Sequence, residues 1–465
     1  MDELTKFLAQ HPNIHYATPS SPDYDSLSSG YVLDHGKVPA MIVRPASAED
    51  VAALVAVLKR NELPFSIRVG GHDMFGRSAV HDAVTIDLRK IAYVHVDPEA
   101  CTARLGGGVL VMEVLQELKQ HGMVAPHPVI PGVGFVGWAT HGGYGLLSAQ
   151  YGFGVDQILQ ARLVDSQAVI RDADEEMLTA IRGGGGCLGI IVELTIKVYP
   201  LNQVQIKFSP AMRLVLIRSQ ILAGVIRYES SDIAATIKQY NDAWRTEKDG
   251  LPSSLSLFQC IGNTSSGKVF SVLFVWASTD IESGEKWLSK VSTWSLVAVS
   301  TVAPTDMVTF NEQAQRICHT NTYGLCLTVN LCELTAEIVD VISKYAPLKP
   351  SDPSTMFAIH ELRACTPRPV MPTVWDTRVP HFVIEILPTV LHADRLDEAL
   401  EWARSFHNEM MRTDKSNILA STYLPLTEPN KVDMRAIYGS KYQILKRVKQ
   451  QYDPDNVFRH TVVQV

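Results

Sequence analysis

Three glycine-rich segments before residue 190 constrain the fold of this 465-residue chain more than any other feature. Glycine adopts backbone conformations with positive φ and lets a ligand approach the main chain closely. Consecutive exposed N–H groups form a concave anion site that suits a pyrophosphate. The segments are Arg68-Val69-Gly70-Gly71-His72-Asp73, Pro131-Gly132-Val133-Gly134-Phe135-Val136-Gly137-Trp138-Ala139-Thr140-His141-Gly142-Gly143-Tyr144-Gly145 and Arg182-Gly183-Gly184-Gly185-Gly186-Cys187-Leu188-Gly189. Three such loops together are hard to explain as turns alone.

The spacing of Gly132, Gly134 and Gly137 matches the G-x-G-x-x-G fingerprint of Rossmann folds. That fingerprint needs a strand before it and a helix after it. The preceding segment, 127–131, contains two prolines, which remove hydrogen-bond donors and disfavour a strand. The following W-A-T-H-G-G-Y-G is a poor start for a helix. We therefore do not predict a Rossmann fold.

Length and composition predict a packed protein of two domains. A chain of 465 residues exceeds one ordinary core, and 46% hydrophobic with 20% charged residues is normal for a globular protein. The net charge of −7 gives no reason to expect a nucleic-acid or membrane partner. The N-terminus has one basic residue, Lys6, and no apolar run that would form a secretory signal or a bilayer span, so we expect an intracellular location.

The cysteines point to no metal site or disulfide framework. Seven are scattered along the chain without a C-x-x-C pair, which predicts buried free thiols. The sequence also shows no other metal-ligand pattern, no Walker loop and no Ser-His-Asp signature.

Hydrophobic periodicity predicts an α+β fold. Short strands mix with helices up to Pro200, and one helix is expected from the Ser47 cap to Asn61. Residues 201–227 carry no acid, and we interpret part of them as an insertion between domains. Strand-like runs follow at 253–261, 269–277, 323–331, 355–363 and 381–387, with helical runs at 231–245, 283–291, 333–345 and 394–412. Strands interleaved with helices indicate an antiparallel sheet covered on one face.

These motifs resemble those of the berberine-bridge-enzyme-like branch of the vanillyl-alcohol-oxidase flavoproteins, which have a PCMH-type FAD-binding domain. Residues 68–72 are similar to that family's R-x-G-G-H, and 180–186 to its W-A-x-R-G-G-G-G. The second glycine segment resembles the family's flavin loop, and 452–459 resembles its closing Y-D-P-x-N-x-F-R. The similarity is weak from about 200 to about 430.

The resemblance implies a two-domain α+β layout. An FAD-binding domain would cover 1–205, with its core at about 38–200. A substrate-binding domain at 206–430 would lay its antiparallel sheet, covered by helices, over the flavin. A C-terminal segment, 431–465, would return to the first domain.

The resemblance also implies FAD attached covalently through His72. Some relatives add a cysteine link, but Ile130 stands at that position here, which excludes a double attachment. Trp138 replaces a histidine of many relatives, and His141 is an unusual neighbour of the flavin. The residues that the resemblance implies for FAD binding are Arg68, Val69, Gly70, Gly71, His72, Asp73, Pro131, Gly132, Gly134, Gly137, Trp138, His141, Gly142, Gly143, Tyr144, Gly145, Gly189, Ile190 and Asn456.

A catalytic base must lie at hydrogen-bond distance from the proton that leaves the substrate. Tyr423 falls near the family's A-Y-V-N strand, although Pro425 replaces the Asn, and it is a candidate base. A pocket-wall tyrosine is the alternative interpretation. His127, close to the second glycine segment, is a further pocket candidate.

Strand periodicity supplies the other catalytic candidates. In 357–363, Glu361 and Arg363 share one face while His360 takes the other. In 381–385, His381 and Glu385 share a face. Glu361, His381 and Glu385 are therefore candidates, with a solvent-facing polar surface as the alternative.

Three functions are compatible with these features. The first is an oxidoreductase that oxidises a small organic molecule, such as a secondary-metabolite alcohol, amine or heterocycle, by hydride transfer to N5 of FAD, with O2 as acceptor. The second is a flavin-containing, non-redox cyclase of the same fold. The third is an inactive protein that only binds flavin. Bleaching of the flavin by substrate distinguishes the first from the others, and the substrate and the oligomeric state stay open.

Overall fold

The computed structural model describes residues 1–33, 36–201, 221–265, 267–316, 319–363, 371–375, 377, 379–420 and 423–465. Most of the acid-free segment interpreted as an insertion, from 202 to 220, lies outside these residues.

The N-terminal part is built from short strands and helices around the three glycine segments. Its strands are β1 His15–Ala17, β2 Met41–Arg44, β3 Phe65–Arg68, β4 Val84–Asp87, β5 Val94–Asp97, β6 Thr102–Gly106, β7 Met123–Val124, β8 Ile158–Val164, β9 Ile170–Asp172, β10 Ile190–Lys197 and β11 Tyr199–Pro200. Its helices are α1 Asp2–Gln10, α2 Tyr24–Ser28, α3 Ala48–Arg60, α4 Val111–Gln120, α5 Phe135–Thr140, α6 Ser148–Tyr151, α7 Gly154–Gln157 and α8 Glu175–Gly184.

These strands form two main sheets. The first has the order β1-β2-β4-β3 and pairs β2 and β3 in parallel with β4. The second is antiparallel, with the order β5-β6-β10-β8-β9, and β7 pairs separately with β11. The first glycine segment follows β3 of the first sheet, and the third glycine segment precedes β10 of the second sheet. Each sheet therefore brings one glycine loop to the same region.

Helix α3 confirms the helix predicted from Ser47. The Ser47 hydroxyl accepts a hydrogen bond from the Asp50 N–H at 3.1 Å, and the helix ends at Asn61. An N-cap of this kind satisfies a donor that the first turn leaves unpaired. The predicted apolar face is buried and consists of Val51, Leu54, Val55 and Leu58.

The middle part confirms the predicted antiparallel sheet. Its strands are β12 Ile221–Tyr228, β13 Leu255–Thr264, β14 Gly267–Trp276, β15 Val297–Ser300, β16 Ala303–Thr305, β17 Leu327–Leu331, β18 Met356–Leu362 and β19 His381–Leu387. Its helices are α9 Ile233–Glu247, α10 Ile281–Val291, α11 Met307–Gln315, α12 Ala336–Tyr345 and α13 Leu396–Met410. The strand order is β15-β12-β14-β13-β18-β19-β17, and β16 also pairs with β12.

The two faces of this sheet have different neighbours. On one face, Phe357 and Ile384 share a core with Tyr240 of α9 and Phe406 of α13. On the other face, residues such as Phe258 belong to the core of the N-terminal part. The sheet is therefore covered by helices on one side and turned toward the glycine segments on the other.

The C-terminal segment packs against the N-terminal part. Helices α14 Met434–Tyr438 and α15 Tyr442–Tyr452 lead into the final loop. The Tyr438 hydroxyl donates to the Gly183 carbonyl at 2.9 Å, and Phe458 meets Phe65 edge to face at 6.0 Å. These contacts support the proposed domain boundary near 430, whereas the proposed boundary near 205 lies outside the described residues.

Five cysteines fall in the described residues, and each is a free thiol. Cys187 and Cys326 are buried, as predicted, whereas Cys101, Cys260 and Cys332 are half-buried. None of the helices in the described parts of the chain has both the length and the apolar character that crossing a bilayer requires.

Candidate functional site

A cavity of about 420 Å³ lies between the three glycine segments and the open face of the antiparallel sheet. The N-terminal part contributes its loops, and β13, β14, β18 and β19 contribute side chains from the sheet. The C-terminal loop closes a further side with His460, Thr461 and Val462. The cavity is thus built from all three parts of the chain.

The first and second glycine segments touch each other. A Cβ added to Gly70 would lie 2.5 Å from the Gly132 carbonyl oxygen and 2.6 Å from the Gly134 nitrogen. Gly71 has φ +65°, a conformation that favours glycine. These positions need glycine because the two backbones meet without room for a side chain.

The second segment differs in part from its prediction. No strand precedes it over 127–131, as expected, but α5 begins directly after Gly134. The helix is only six residues long and ends at His141, before Gly142, whose φ is +115°. Local packing outweighs the weak helix propensity here, because Phe135, Val136 and Ala139 are all buried.

The third segment contains a kink that a buried arginine holds. Arg182 has no exposed surface, and its guanidinium donates to the carbonyls of Ile158 at 3.0 Å and Pro372 at 3.1 Å. Gly183 and Gly185 have φ +121° and +61°, which breaks α8 at this point. The kinked loop leads to Gly186 and Gly189, which line the cavity.

Two cavity-lining glycines leave space that a ligand fits. No atom lies within 4 Å of the Cβ that a larger residue would add at Gly137 or at Gly186. A large ligand can therefore lie directly against the main chain at both places. Together with the N–H groups of the loops, this is the environment that FAD requires. The residues that would hold FAD lie in 69–73, 133–145 and 186–191.

His72 projects into this cavity as a neutral ring. Burial, and secondly the charge of Arg68, lowers the pKa of His72 to about 4. No described residue makes a hydrogen bond to either ring nitrogen, while the ring stacks on Tyr31 with centroids 4.9 Å apart. An uncharged imidazole that lines the cavity is chemically competent to bond to a flavin.

Six of the residues implied for FAD binding lie outside the cavity lining, and four of them support the loops instead. Arg68 donates to main-chain carbonyls, and Gly132 contacts the first loop. Gly142 and Gly143 pack against other parts of the wall. The six are Arg68, Pro131, Gly132, Gly142, Gly143 and Asn456, of which Asn456 is exposed at the C-terminal turn.

The sheet side of the cavity contains a linked polar group. The Tyr144 hydroxyl donates to Oε1 of Glu385, and Nε2 of His360 lies 3.3 Å from the same oxygen. Tyr423 meets the Tyr144 ring edge to face at 4.7 Å. All four side chains line the cavity.

Electrostatics keeps Glu385 charged and the tyrosines protonated. Burial by itself raises the pKa of a carboxyl, but the His360 ring and the Tyr144 hydroxyl hold the pKa of Glu385 below its usual range. Burial, and then the nearby carboxylate, raises the pKa of Tyr144 well above its usual value. Burial also raises the pKa of Tyr423. Glu385, and not Tyr423, is therefore the group suited to accept a proton.

Two of the predicted catalytic residues lie elsewhere. Glu361 is on the opposite face of β18, where its carboxylate lies 3.6 Å from Nε of Arg363, so strand alternation removes it from the cavity. His381 shares the face of Glu385, but it lies at the far end of β19 and bonds to the Val379 carbonyl at 2.8 Å. Neither residue lines the cavity.

His127 and the segment around Tyr423 also differ from expectation. His127 is buried beside the cavity, where it donates from Nδ1 to the Ala125 carbonyl at 2.8 Å and accepts from the Asn311 amide at 3.2 Å. Tyr423 precedes a 3-10 turn, Leu424–Leu426, and not a strand. Residues 421 and 422 lie outside the described residues.

Sequence reasoning did not select several residues of the cavity. Strand alternation placed His360 on the face opposite Glu361, which is also the face that carries Glu385 on the neighbouring strand. That alternation was the signal that could have identified His360. Tyr31 lies well before the first glycine segment, and Arg77 lies four residues after it. Neither residue belongs to a recognisable motif. The residues missed include Tyr31, Met74, Arg77, Phe258, Cys260, Leu273, Met356, Ala358, His360 and Leu387.

Buried histidines around the cavity predict acid lability. Burial lowers the pKa of His72, His127 and His141 to about 4 from 6.5. In the unfolded chain these imidazoles bind protons near pH 6.5, whereas in the folded chain they stay neutral down to about pH 4. The stability that is present above pH 6.5 is therefore lost as the pH falls to about 4. Each ring accounts for at most about 3 kcal/mol. Urea unfolding between pH 7 and pH 4 measures this slope.

His127 allows the contribution of one ring to be isolated. His127→Gln should flatten the slope of unfolding free energy against pH between 6.5 and 4, whatever it does to stability at pH 7. His95, which is exposed, provides a control, and His95→Gln should leave the slope unchanged. An unchanged slope in His127→Gln would contradict the expected neutral state of that ring.

Two protein-family models match separate parts of the chain. A model of the FAD binding domain matches residues 39–174, and a model described as berberine and berberine like matches residues 430–462. The FAD-linked oxidoreductase aurO of Gibberella zeae is 28% identical over 98% of this chain and 86% of its own length. The (R)-6-hydroxynicotine oxidase of Paenarthrobacter nicotinovorans is 34% identical over 39% of this chain and 41% of its own length.

A solved structure shares the whole fold. The 6-hydroxy-D-nicotine oxidase of Arthrobacter nicotinovorans matches with a TM-score of 0.83 and 21% identity, covering 97% of both chains. Fold and glycine loops together define a two-domain FAD-binding protein of the PCMH type. The chain therefore carries an FAD-binding domain, and it is an FAD-linked oxidoreductase that is similar to the berberine-bridge-enzyme-like proteins.

Proposed function

We propose that this enzyme oxidises a small, largely apolar organic molecule and that Glu385 accepts the proton that leaves the substrate. Oε1 of Glu385 is engaged by Tyr144, whereas no described residue donates a hydrogen bond to Oε2. Glu385 lines the cavity, so this second oxygen is available to a substrate. A cavity-lining carboxylate with one oxygen held by Tyr144 and the other open to a substrate is the observation that carries the proposal.

The walls of the cavity support a particular class of substrate. Next to Glu385 the sheet presents mostly apolar side chains, namely Phe258, Leu273, Met356, Ala358 and Leu387. Among the lining residues that the structure describes, Arg77 is the only arginine or lysine, and it is paired with Asp73 at 2.8 Å. Such a wall favours a secondary-metabolite alcohol, amine or heterocycle over a carboxylic acid or a sugar, since an acid needs a free cation and a polyol many donors.

The residues divide the reaction between them. FAD, when bound, supplies the acceptor for the hydride that leaves the substrate carbon, and O2 is the proposed final acceptor. Glu385 takes the proton of the substrate O–H or N–H group, while Tyr144 holds the carboxylate in place by donating to Oε1. Tyr423 and His360 close the cavity around the reacting atoms and exclude water.

We further propose a covalent bond between His72 and the flavin. Its neutral ring lines the cavity, and Ile130 offers no thiol for a second bond. Precipitation of the purified protein with acid tests this. Yellow colour should stay with the pellet in the wild type and pass to the supernatant in His72→Ala. A wild-type supernatant that carries all the flavin would exclude the bond but not FAD binding.

Anaerobic mixing with candidate substrates tests the oxidation itself. We expect an apolar alcohol, amine or nitrogen heterocycle to bleach the flavin, and air to restore the colour. A substrate that is consumed while the flavin stays oxidised throughout would instead establish a non-redox cyclase. Restoration of colour by an artificial acceptor but not by O2 would establish a dehydrogenase.

A further inference from the structure

The N-terminal strap, which we define as residues 27–33, crosses the first glycine loop. The guanidinium of Arg68 donates to the carbonyls of Leu27 and Ser29. The Tyr31 N–H donates to the Gly71 carbonyl at 2.9 Å. A Cβ at Gly30 would lie only 3.1 Å from that carbonyl oxygen, so the strap and the loop are in close contact.

The other edge of the strap is bonded to the substrate-binding part. The Thr322 N–H donates to the Tyr31 carbonyl at 3.2 Å, and the Leu33 N–H donates to the Thr322 carbonyl at 2.6 Å. The Ser29 hydroxyl donates to Oδ1 of Asn321 at 2.8 Å. The main chain of Tyr31 is therefore held from both sides, by its N–H and by its carbonyl.

The side chain of Tyr31 covers the ring of His72. The two rings stack at an interplanar angle of 29°. On another side, a Cβ at Gly132 would lie 2.9 Å from Nε2 of His72, so the imidazole is enclosed by the second loop as well. Since no described residue makes a hydrogen bond to either ring nitrogen, packing alone sets the orientation of the ring.

We propose that Tyr31 is a positioning residue for the attachment of flavin to His72. This inference rests on the covalent bond proposed above. Attachment replaces one C–H bond of a flavin methyl group and the ring N–H bond by a C–N bond, and O2 takes the two hydrogens as H2O2. The nitrogen must point at the methyl carbon for this bond to form, and the stacked tyrosine prevents the imidazole from turning away. The Arg of R-x-G-G-H contributes by holding the strap that places Tyr31.

The test compares three variants of Tyr31 through their bound flavin. Tyr31→Phe keeps the stacked ring, whereas Tyr31→Leu and Tyr31→Met remove it while filling the space. For each purified protein, total flavin per chain and the acid-stable fraction are measured. We expect wild type and Tyr31→Phe to carry acid-stable flavin, and the two others to bind FAD but to have an acid-stable fraction that is lower by about tenfold or more.

A tyrosine elsewhere in the same part of the chain serves as the control. Tyr151 stacks on Tyr199 with ring centroids 3.9 Å apart, and neither residue lines the cavity. Tyr151→Leu should therefore leave the acid-stable fraction unchanged. Full attachment in Tyr31→Leu or Tyr31→Met would overturn the proposal. Loss of all flavin from both would also overturn it, since Tyr31 would then hold FAD itself. Wild-type protein without acid-stable flavin would refute the His72 bond, and the role of Tyr31 with it.

Discussion

Glu385→Gln lowers kcat/KM by about two to four orders of magnitude, which is the expected contribution of a positioned general base. Glutamine has the same shape and can still accept the hydrogen bond from Tyr144, but it cannot take a proton. Flavin content and the midpoint of thermal unfolding should stay close to wild type. Anaerobic reduction of the flavin by substrate, followed in a stopped-flow instrument, separates this chemical step from binding.

Glu361 provides a matched control on the neighbouring strand. It is also a buried glutamate of the same sheet, but its side chain faces the helices and pairs with Arg363. Glu361→Gln should change kcat/KM by less than about threefold in protein that is folded and flavin-loaded, because its carboxylate touches no reacting atom. The opposite pattern, a large loss in Glu361→Gln and none in Glu385→Gln, would contradict the assignment of the base.

Lys449→Met destabilises the protein by about 3–5 kcal/mol, because it leaves a buried carboxylate without its countercharge. Nζ of Lys449 lies 2.7 Å from Oδ2 of Asp453 and donates to the Cys187 carbonyl at 2.8 Å. Asp453 also accepts from the N–H groups of Val457 and Phe458, and its side chain has no exposed surface. The pair thereby joins α15, the C-terminal loop and the third glycine segment.

Arg447 on the same helix is the control for this pair. Arg447 lies 2.6 Å from Glu176, and both side chains are exposed, so Arg447→Met should cost at most about 1 kcal/mol. Urea unfolding of holoenzyme measures both variants. Because Cys187 adjoins Gly186 in the cavity wall, Lys449→Met should also release non-covalent FAD more readily in a His72→Ala background. Equal stability of the two methionine variants would show that the buried pair contributes nothing beyond a surface pair.

Local sequence patterns were sufficient to predict the elements whose structure depends on residues close together in the sequence. The Ser47 cap and the apolar face of α3 needed only helical spacing, and five strands of the middle part, β13, β14, β17, β18 and β19, needed only their local pattern. The short helix α5 escaped prediction because its residues have weak helix propensity and its stability comes from burial in the surrounding core. Periodicity thus recovered most of the elements, but it missed β12, β15, β16 and α11, and residues 221–227 belong to the sheet and not to an insertion.

The linked polar group around Glu385 shows the limit of this reasoning. Alternation correctly placed His381 and Glu385 on the same face of β19. It also placed His360 and Glu361 on opposite faces of β18. Which face meets the flavin loops depends on contacts between distant parts of the chain. Tyr144 and Glu385 are 241 residues apart, and no local pattern encodes that pairing. The same holds for Tyr31, whose position on His72 depends on hydrogen bonds to both domains.

The sequence by itself therefore indicated a site for a pyrophosphate, because glycine at close backbone contacts is a local steric requirement, and the resemblance of the three motifs to those of a flavoprotein family supplied FAD as the cofactor. It also determined the α+β class, because strand and helix periodicities are local. Only the tertiary structure decided that Glu385 is the candidate base and that Tyr31 covers His72. The physical reason is that burial, charge pairing and ring stacking arise between segments that the fold brings together.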